Sequence, residues 1–164
     1  MDSIKCSLLL PTGAMLITSL DWNFPILPNF KLWELANKDA TEAQTVDGIR
    51  FATDSQWSWL FLTMLQGSRN HFGRLDLTSG YRTQAFNDSL PDATPDSQHC
   101  HMQAADILLG SQTFDEWIRW WRNYCALCNQ IGAIGLYNNP KRVHIEIGSD
   151  RRYGAKKFEI RDHR

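Results

Sequence analysis

A chain of 164 residues that is 43% hydrophobic and 21% charged has apolar material for one self-sufficient core. Its formal net charge of −1 argues against a generic nucleic-acid binder. No run approaches the roughly 18 consecutive apolar residues of a membrane span. The four cysteines permit disulfides, but a chain this long does not need them, so reduced thiols are expected.

The first stretch, "MDSIKCSLLLPTGAMLITSL", lacks the basic start and unbroken apolar run of a leader, because Asp2 offsets Lys5 and Pro11 and Gly13 interrupt it. It reads as two short strands around a Pro-Thr-Gly turn. Residues 21–31, "DWNFPILPNFK", read as an irregular connection, and "LWELANK" as a short helical segment. The expected organisation is a single domain over residues 1–164, with 1–29 as a strand and loop extension. Trp57, Leu60, Phe61, Met64 and Leu65 recur at helical spacing, with Ser55 as N-cap and Gly73 as C-terminal stop. "RLDLTS" alternates as a strand with one buried face, and "GYRTQAFNDSL" returns to helical character. Residues 91–98 form a two-proline loop, and "AADILLG" reads as a buried strand. Thr113 and Glu116 make a capping box that opens the helix "DEWIRWWRNYCALCNQI". "AIGLY", a turn at "NNP" and the alternating "RVHIEIG" follow. This order is not a regular β-α-β repeat, so the expected class is α+β, with a small antiparallel or mixed sheet flanked by helices.

Chemistry concentrates in "SQHCHMQAADI", Ser97 to Ile107. A catalytic zinc takes three protein ligands, commonly His and carboxylate, and keeps one position open. His99 and Asp106 offer two, and His144 is the candidate third. On a strand His144 and Glu146 share a face, which sets an imidazole beside a carboxylate. By spacing alone, an edge strand turning both to solvent explains the pattern equally well.

Three segments in order resemble the zinc D-alanyl-D-alanine carboxypeptidases and L-alanyl-D-glutamate endopeptidases of bacteria and their phages. "LTSGYRTQAFN" is similar to the family's Ser-Gly-Tyr-Arg segment. Ser97, His99, Ala104 and Asp106 stand at the positions of Ser-x-His-x-x-Gly-x-Ala-x-Asp, and "RVHIEIG" resembles the late strand that carries the last histidine. "NFKLWELANKD" and "HFGRLDLTSGYR" look like the lead-in of phage and prophage members. The resemblance spans roughly Phe30 to Gly148.

It implies zinc held by His99, Asp106 and His144, and hydrolysis of a peptide bond near a D-amino acid in peptidoglycan peptides. Arg82 matches the arginine that stabilises the substrate carbonyl or carboxylate, and Ser97 and Tyr81 join it in the expected substrate site. Glu146 is expected to carry the proton. A monomer without nucleic-acid or membrane partners, made in the cytoplasm and acting at the wall in the manner of a phage lysin, completes the expectation. The other reading is an inactive zinc-containing module that binds wall peptides or a protein partner.

Two departures stand out. The family glycine is Met102, which implies a different local backbone or a filled pocket. Lys141 and Arg142 occupy positions where some members place a Glu or His base. Plainer readings cover the remaining residues. Cys100 lacks a placed base for a nucleophile. His101 is an alternative ligand if its segment is extended. Cys125 and Cys128 are ordinary buried thiols, and Trp117, Trp120 and Trp121 are core. His71 and His163 are surface residues, and "RRYGAKKFEIRDHR" is a basic, mostly solvated tail.

Overall fold

The structure is a computed structural model that describes residues 6–10, 13–17, 25–35, 56–91, 93–148 and 158–164. Strands β1 (Cys6–Leu10) and β2 (Gly13–Ile17) form the expected antiparallel hairpin. Part of the stretch read as irregular is a second small hairpin, β3 (Pro25–Leu27) with β4 (Phe30–Lys31). Its strands, of three and two residues, are too short for alternation to show in the sequence. Ile26 and Phe30 anchor it in the core, and Gln66 exchanges hydrogen bonds with Asn29. A 3-10 turn, Leu32–Leu35, follows.

Helix α1 spans Gln56–Phe72 and stops at Gly73, whose φ of 80° suits glycine and whose N–H reaches Arg69 O at 3.0 Å. The N-cap expected at Ser55 lies outside the described residues. Strand β5 (Asp76–Ser79) leads to the short helix α2 (Gln84–Asp88), capped by Thr83, and then to a 3-10 turn, Gln98–His101, and β6 (Ala104–Leu108). Helix α3 (Phe114–Leu127) opens on the capping box: Thr113 N–H donates to Glu116 Oε2 at 2.7 Å, and Glu116 N–H to Thr113 Oγ1 at 3.2 Å. It ends earlier than expected because Asn129 adopts φ 52°, which turns the chain into β7 (Ile131–Asn138). Strands β8 (Lys141–Gly148) and β9 (Phe158–Asp162) complete a five-stranded mixed sheet in the order β5-β6-β8-β7-β9. Among the described strands only β9 pairs in parallel, with β7. The architecture is α+β, as the sequence indicated.

The tail read as solvated therefore contributes a strand. Its alternation of Phe158 and Ile160 with Glu159 and Arg161 is a strand pattern masked by the surrounding charge.

Strand β8 shows how the sheet separates core from site. Val143, Ile145 and Ile147 are fully buried on one face, while Arg142, His144 and Glu146 alternate onto the other. Helices α1 and α3 pack against the sheet. Trp117 and Trp121 are completely buried and Trp120 partly, so this cluster is core, as expected. Each such ring buries about 150–250 Å². Cys125 is buried near the end of α3, and desolvation pushes its thiol up to about 12, which makes it inert. Among the described residues, no helix is long and apolar enough to cross a membrane.

Candidate metal centre

Asp106 on β6 and His144 on β8 are direct cross-strand partners, so antiparallel pairing alone sets them side by side. His144 Nδ1 lies 2.8 Å from Asp106 Oδ1. His99 arrives from the 3-10 turn, which brings its Nε2 to 3.6 Å from Asp106 Oδ2. One donor atom from each of His99, Asp106 and His144 lies within 4.8 Å of the others.

The tautomer of His99 follows from its other nitrogen. Nδ1–H donates to Gly80 O at 2.6 Å, which leaves the Nε2 lone pair facing Asp106. Burial at 2% exposure lowers the pKa of His99 and keeps the ring neutral, as a ligand must be. Burial would raise the Asp106 carboxyl, but the facing His144 and His99 rings hold it well below the usual carboxylate range. Burial would lower His144, yet its bonds to Asp106 and Glu146 outweigh that and push it up to about 9. Two imidazoles and one carboxylate, with groove on the remaining side, fit a zinc ion that keeps an open position.

The turn that delivers His99 closes through Met102, at φ 55° and ψ 38°. Here methionine adopts the left-handed conformation that glycine would favour, and its side chain is buried in the core at 1% exposure. Because residues 98–101 form a 3-10 turn, His101 does not share a face with His99. Its Nε2 lies 3.1 Å from Asp96 Oδ1, turned away from the cluster, so the alternative ligand falls away. Burial raises the Cys100 thiol, which disfavours a nucleophile.

The centre lies in an open groove of about 590 Å³. Arg82 and Ser97 line it. Arg82 Nε is buried and without a hydrogen-bond partner, a donor left for an incoming acceptor. Tyr81 has its ring packed in the core at 9% exposure and is not among the residues that line the groove.

Glu146 lies on the expected face but is deeply set, at 2% exposure. Its Oε2 meets His144 Nε2 at 2.9 Å, and its Oε1 meets Arg161 Nη1 at 2.9 Å. Sequence reasoning missed Gly135, Tyr137, Arg161 and His163, all of which line the groove. His163, expected at the surface, is exposed but stacks on Tyr137 with centroids 4.9 Å apart. Arg142 had a readable signal, since it precedes His144 and Glu146 at strand spacing; its guanidinium sits 4.4 Å from the Tyr137 ring centroid.

A family model described as Peptidase M15 matches residues 28–146, well over half of the chain and all three members of the cluster. No curated protein matches the chain.

Proposed function

The chain belongs to the Peptidase M15 family, whose members are zinc metallopeptidases, and from that premise we propose that it hydrolyses a peptide bond next to a D-amino acid in peptidoglycan stem or cross-bridge peptides. The observation that carries this is the convergence of His99, Asp106 and His144 in a groove that Arg82 also lines. These three residues would hold the zinc. When bound, the ion supplies a Lewis acid and lowers the pKa of water toward about 7.

The chain's own groups do the rest. Gly80 O holds the His99 Nδ1 proton, which aims Nε2 at the centre. Arg82 offers its unpaired Nε–H, within a planar and permanently charged fork, to the substrate carbonyl or a carboxylate. Arg142 adds a second cation to the groove, which suits peptides bearing free carboxylates. Ser97, 8% exposed, forms part of the substrate wall. Glu146 was expected to carry the proton; its contacts with His144 and Arg161 support a holding role for it. The resemblance of the lead-in segments to phage and prophage members supports action at the bacterial wall by a lysin-like monomer.

One observation favours the second reading, a zinc-holding module that binds wall peptides without cutting them. Both carboxylates described in the groove, Asp106 and Glu146, are already paired. Mass spectrometry of purified peptidoglycan after incubation, with and without a zinc chelator, decides between the two. Chelator-sensitive release of D-alanine, or new stem-peptide ends, is expected. Unchanged wall of several chemical types, with zinc bound to the protein, would overturn the peptidase reading.

A further inference from the structure

Glu146 and Arg161 stand on different strands, and their contact depends on what lies between. Arg161 on β9 pairs with Gly135 on β7, and Gly135 pairs with His144 on β8. Neighbouring strands run about 4.8 Å apart, so a side chain on β9 must cross about twice that to reach β8. Gly135 leaves the crossing open. A Cβ there would lie 3.1 Å from Tyr137 Cε2 and 3.3 Å from His144 Cβ. Over this gap Arg161 Nη1 reaches Glu146 Oε1 at 2.9 Å, while its Nη2 and Nε hold Glu159 Oε2 at 2.9 and 3.0 Å. One planar fork thus bridges two carboxylates, which a lysine's point charge cannot do in the same way.

The far end of Glu146 meets His144. With Oε2 accepting from Nε2–H at 2.9 Å, Nδ1 is the nitrogen that faces Asp106 and the centre, and it becomes the ligand atom once it gives up its proton on the metal's arrival. His99 is held in the mirror sense, with Nδ1 fixed and Nε2 presented. A carboxylate on the outer nitrogen of a ligating histidine fixes ring orientation and raises ligand basicity, and its loss commonly costs about 10–100-fold in metal affinity.

We infer that Glu146 and Arg161 are a positioning pair for the zinc ligand His144: Glu146 sets its ring and tautomer, and Arg161, reaching across Gly135, sets Glu146. This rests on the zinc site proposed above. It brings the C-terminal strand β9 into a centre whose ligands all precede it.

The test is zinc affinity of the full chain, read by competition with a chromophoric chelator, for wild type, Glu146→Gln, Arg161→Met, Arg161→Lys and the double variant Glu146→Gln/Arg161→Met. Turnover on purified peptidoglycan is read alongside at limiting and at saturating zinc. Glu146→Gln is expected to weaken zinc by about 10–100-fold and to recover most turnover at saturating zinc. Arg161→Met should weaken zinc by a smaller factor, with Arg161→Lys nearer wild type. The double variant should bind no worse than Glu146→Gln, because Arg161 acts through Glu146. Unchanged zinc affinity in Glu146→Gln together with turnover lost at saturating zinc would make Glu146 a proton carrier and overturn the inference. Losses that multiply in the double variant would also overturn it. Should Glu146→Gln fail to fold, Arg161→Met carries the test, and wild-type affinity in it sinks the pair. A wild-type chain that holds no zinc refutes the proposed function itself, whereas tight wild-type binding unaffected by the variants refutes the inference alone.

Discussion

Substituting Gly80 by alanine should damage the metal centre through an atom that never touches the metal. A Cβ at Gly80 would lie 2.1 Å from Leu35 O and 2.7 Å from its carbonyl carbon. Carbon rests about 3.3–3.6 Å from a carbonyl oxygen, so one of the two segments must move by about 1.2 Å. Neither is a flexible side-chain tip. Leu35 O accepts Tyr81 N–H at 2.7 Å, and Gly80 O accepts His99 Nδ1–H at 2.6 Å. Overpacking of this kind costs about 1–3 kcal/mol or more, which in a domain of this size lowers Tm by roughly 3–10 °C. Displacing the carbonyl also releases the tautomer of His99, and loss of such an outer partner costs about 10–100-fold in metal affinity. Thermal melts in chelator measure the first effect, and zinc competition on the folded variant at low temperature the second. A Gly80→Ala protein with wild-type Tm and wild-type zinc affinity would refute the reasoning.

Three further outcomes are expected. Met102→Gly restores the family residue and relieves about 1–2 kcal/mol of left-handed strain, but truncating a buried methionine costs about 2–5 kcal/mol, so burial wins and urea denaturation should show a loss of roughly 1–3 kcal/mol; a stabilised variant would mean that strain dominates. In the metal-free chain His144 sits at about 9, above its unfolded value of about 6.5, so the Asp106–His144 contact contributes fully below about 6.5 and fades as pH rises toward 9. Asp106 is depressed, so the same contact also fades as pH falls below about 4, and denaturation in chelator should be hardest between these limits; a midpoint that rises from pH 6.5 to 9 contradicts this. Arg82→Lys should lower kcat/KM by about 10- to 100-fold, the worth of a hydrogen bond to a charged group, while zinc affinity stays at the wild-type value; a fall in zinc affinity would assign Arg82 to the metal centre instead.

Much of this was legible in the chain, and the reasons differ by residue. Thr113 and Glu116 declared a helix start because a capping box is local chemistry within four residues. The alternation of "RVHIEIG" placed His144 and Glu146 on one face, since strand periodicity is also local. The meeting of His99 with Asp106 and His144 was one of two open readings by spacing and was favoured only by the family resemblance, because it depends on strand pairing over 38 residues between Asp106 and His144. Arg161 was not legible. Its partner Glu146 lies two strands away, and Gly135, the residue paired between Arg161 and His144, shows no side chain to read. Tyr81, whose ring is in the core, was not legible for a related reason. It adjoins Arg82 in sequence, but adjacency says nothing about which neighbour faces the core.

The direct pairing of Asp106 with His144 has one more consequence. Side chains alternate along a strand, so sliding β6 past β8 by a single residue would turn one of the two toward the helices and away from the groove. A sheet zipped one step out of place could not collect the three ligands. Only the correctly aligned sheet offers a complete set, and binding stabilises whichever state binds. Zinc present during refolding should therefore favour the aligned sheet over slipped competitors, and a refolding yield that does not respond to zinc would contradict this.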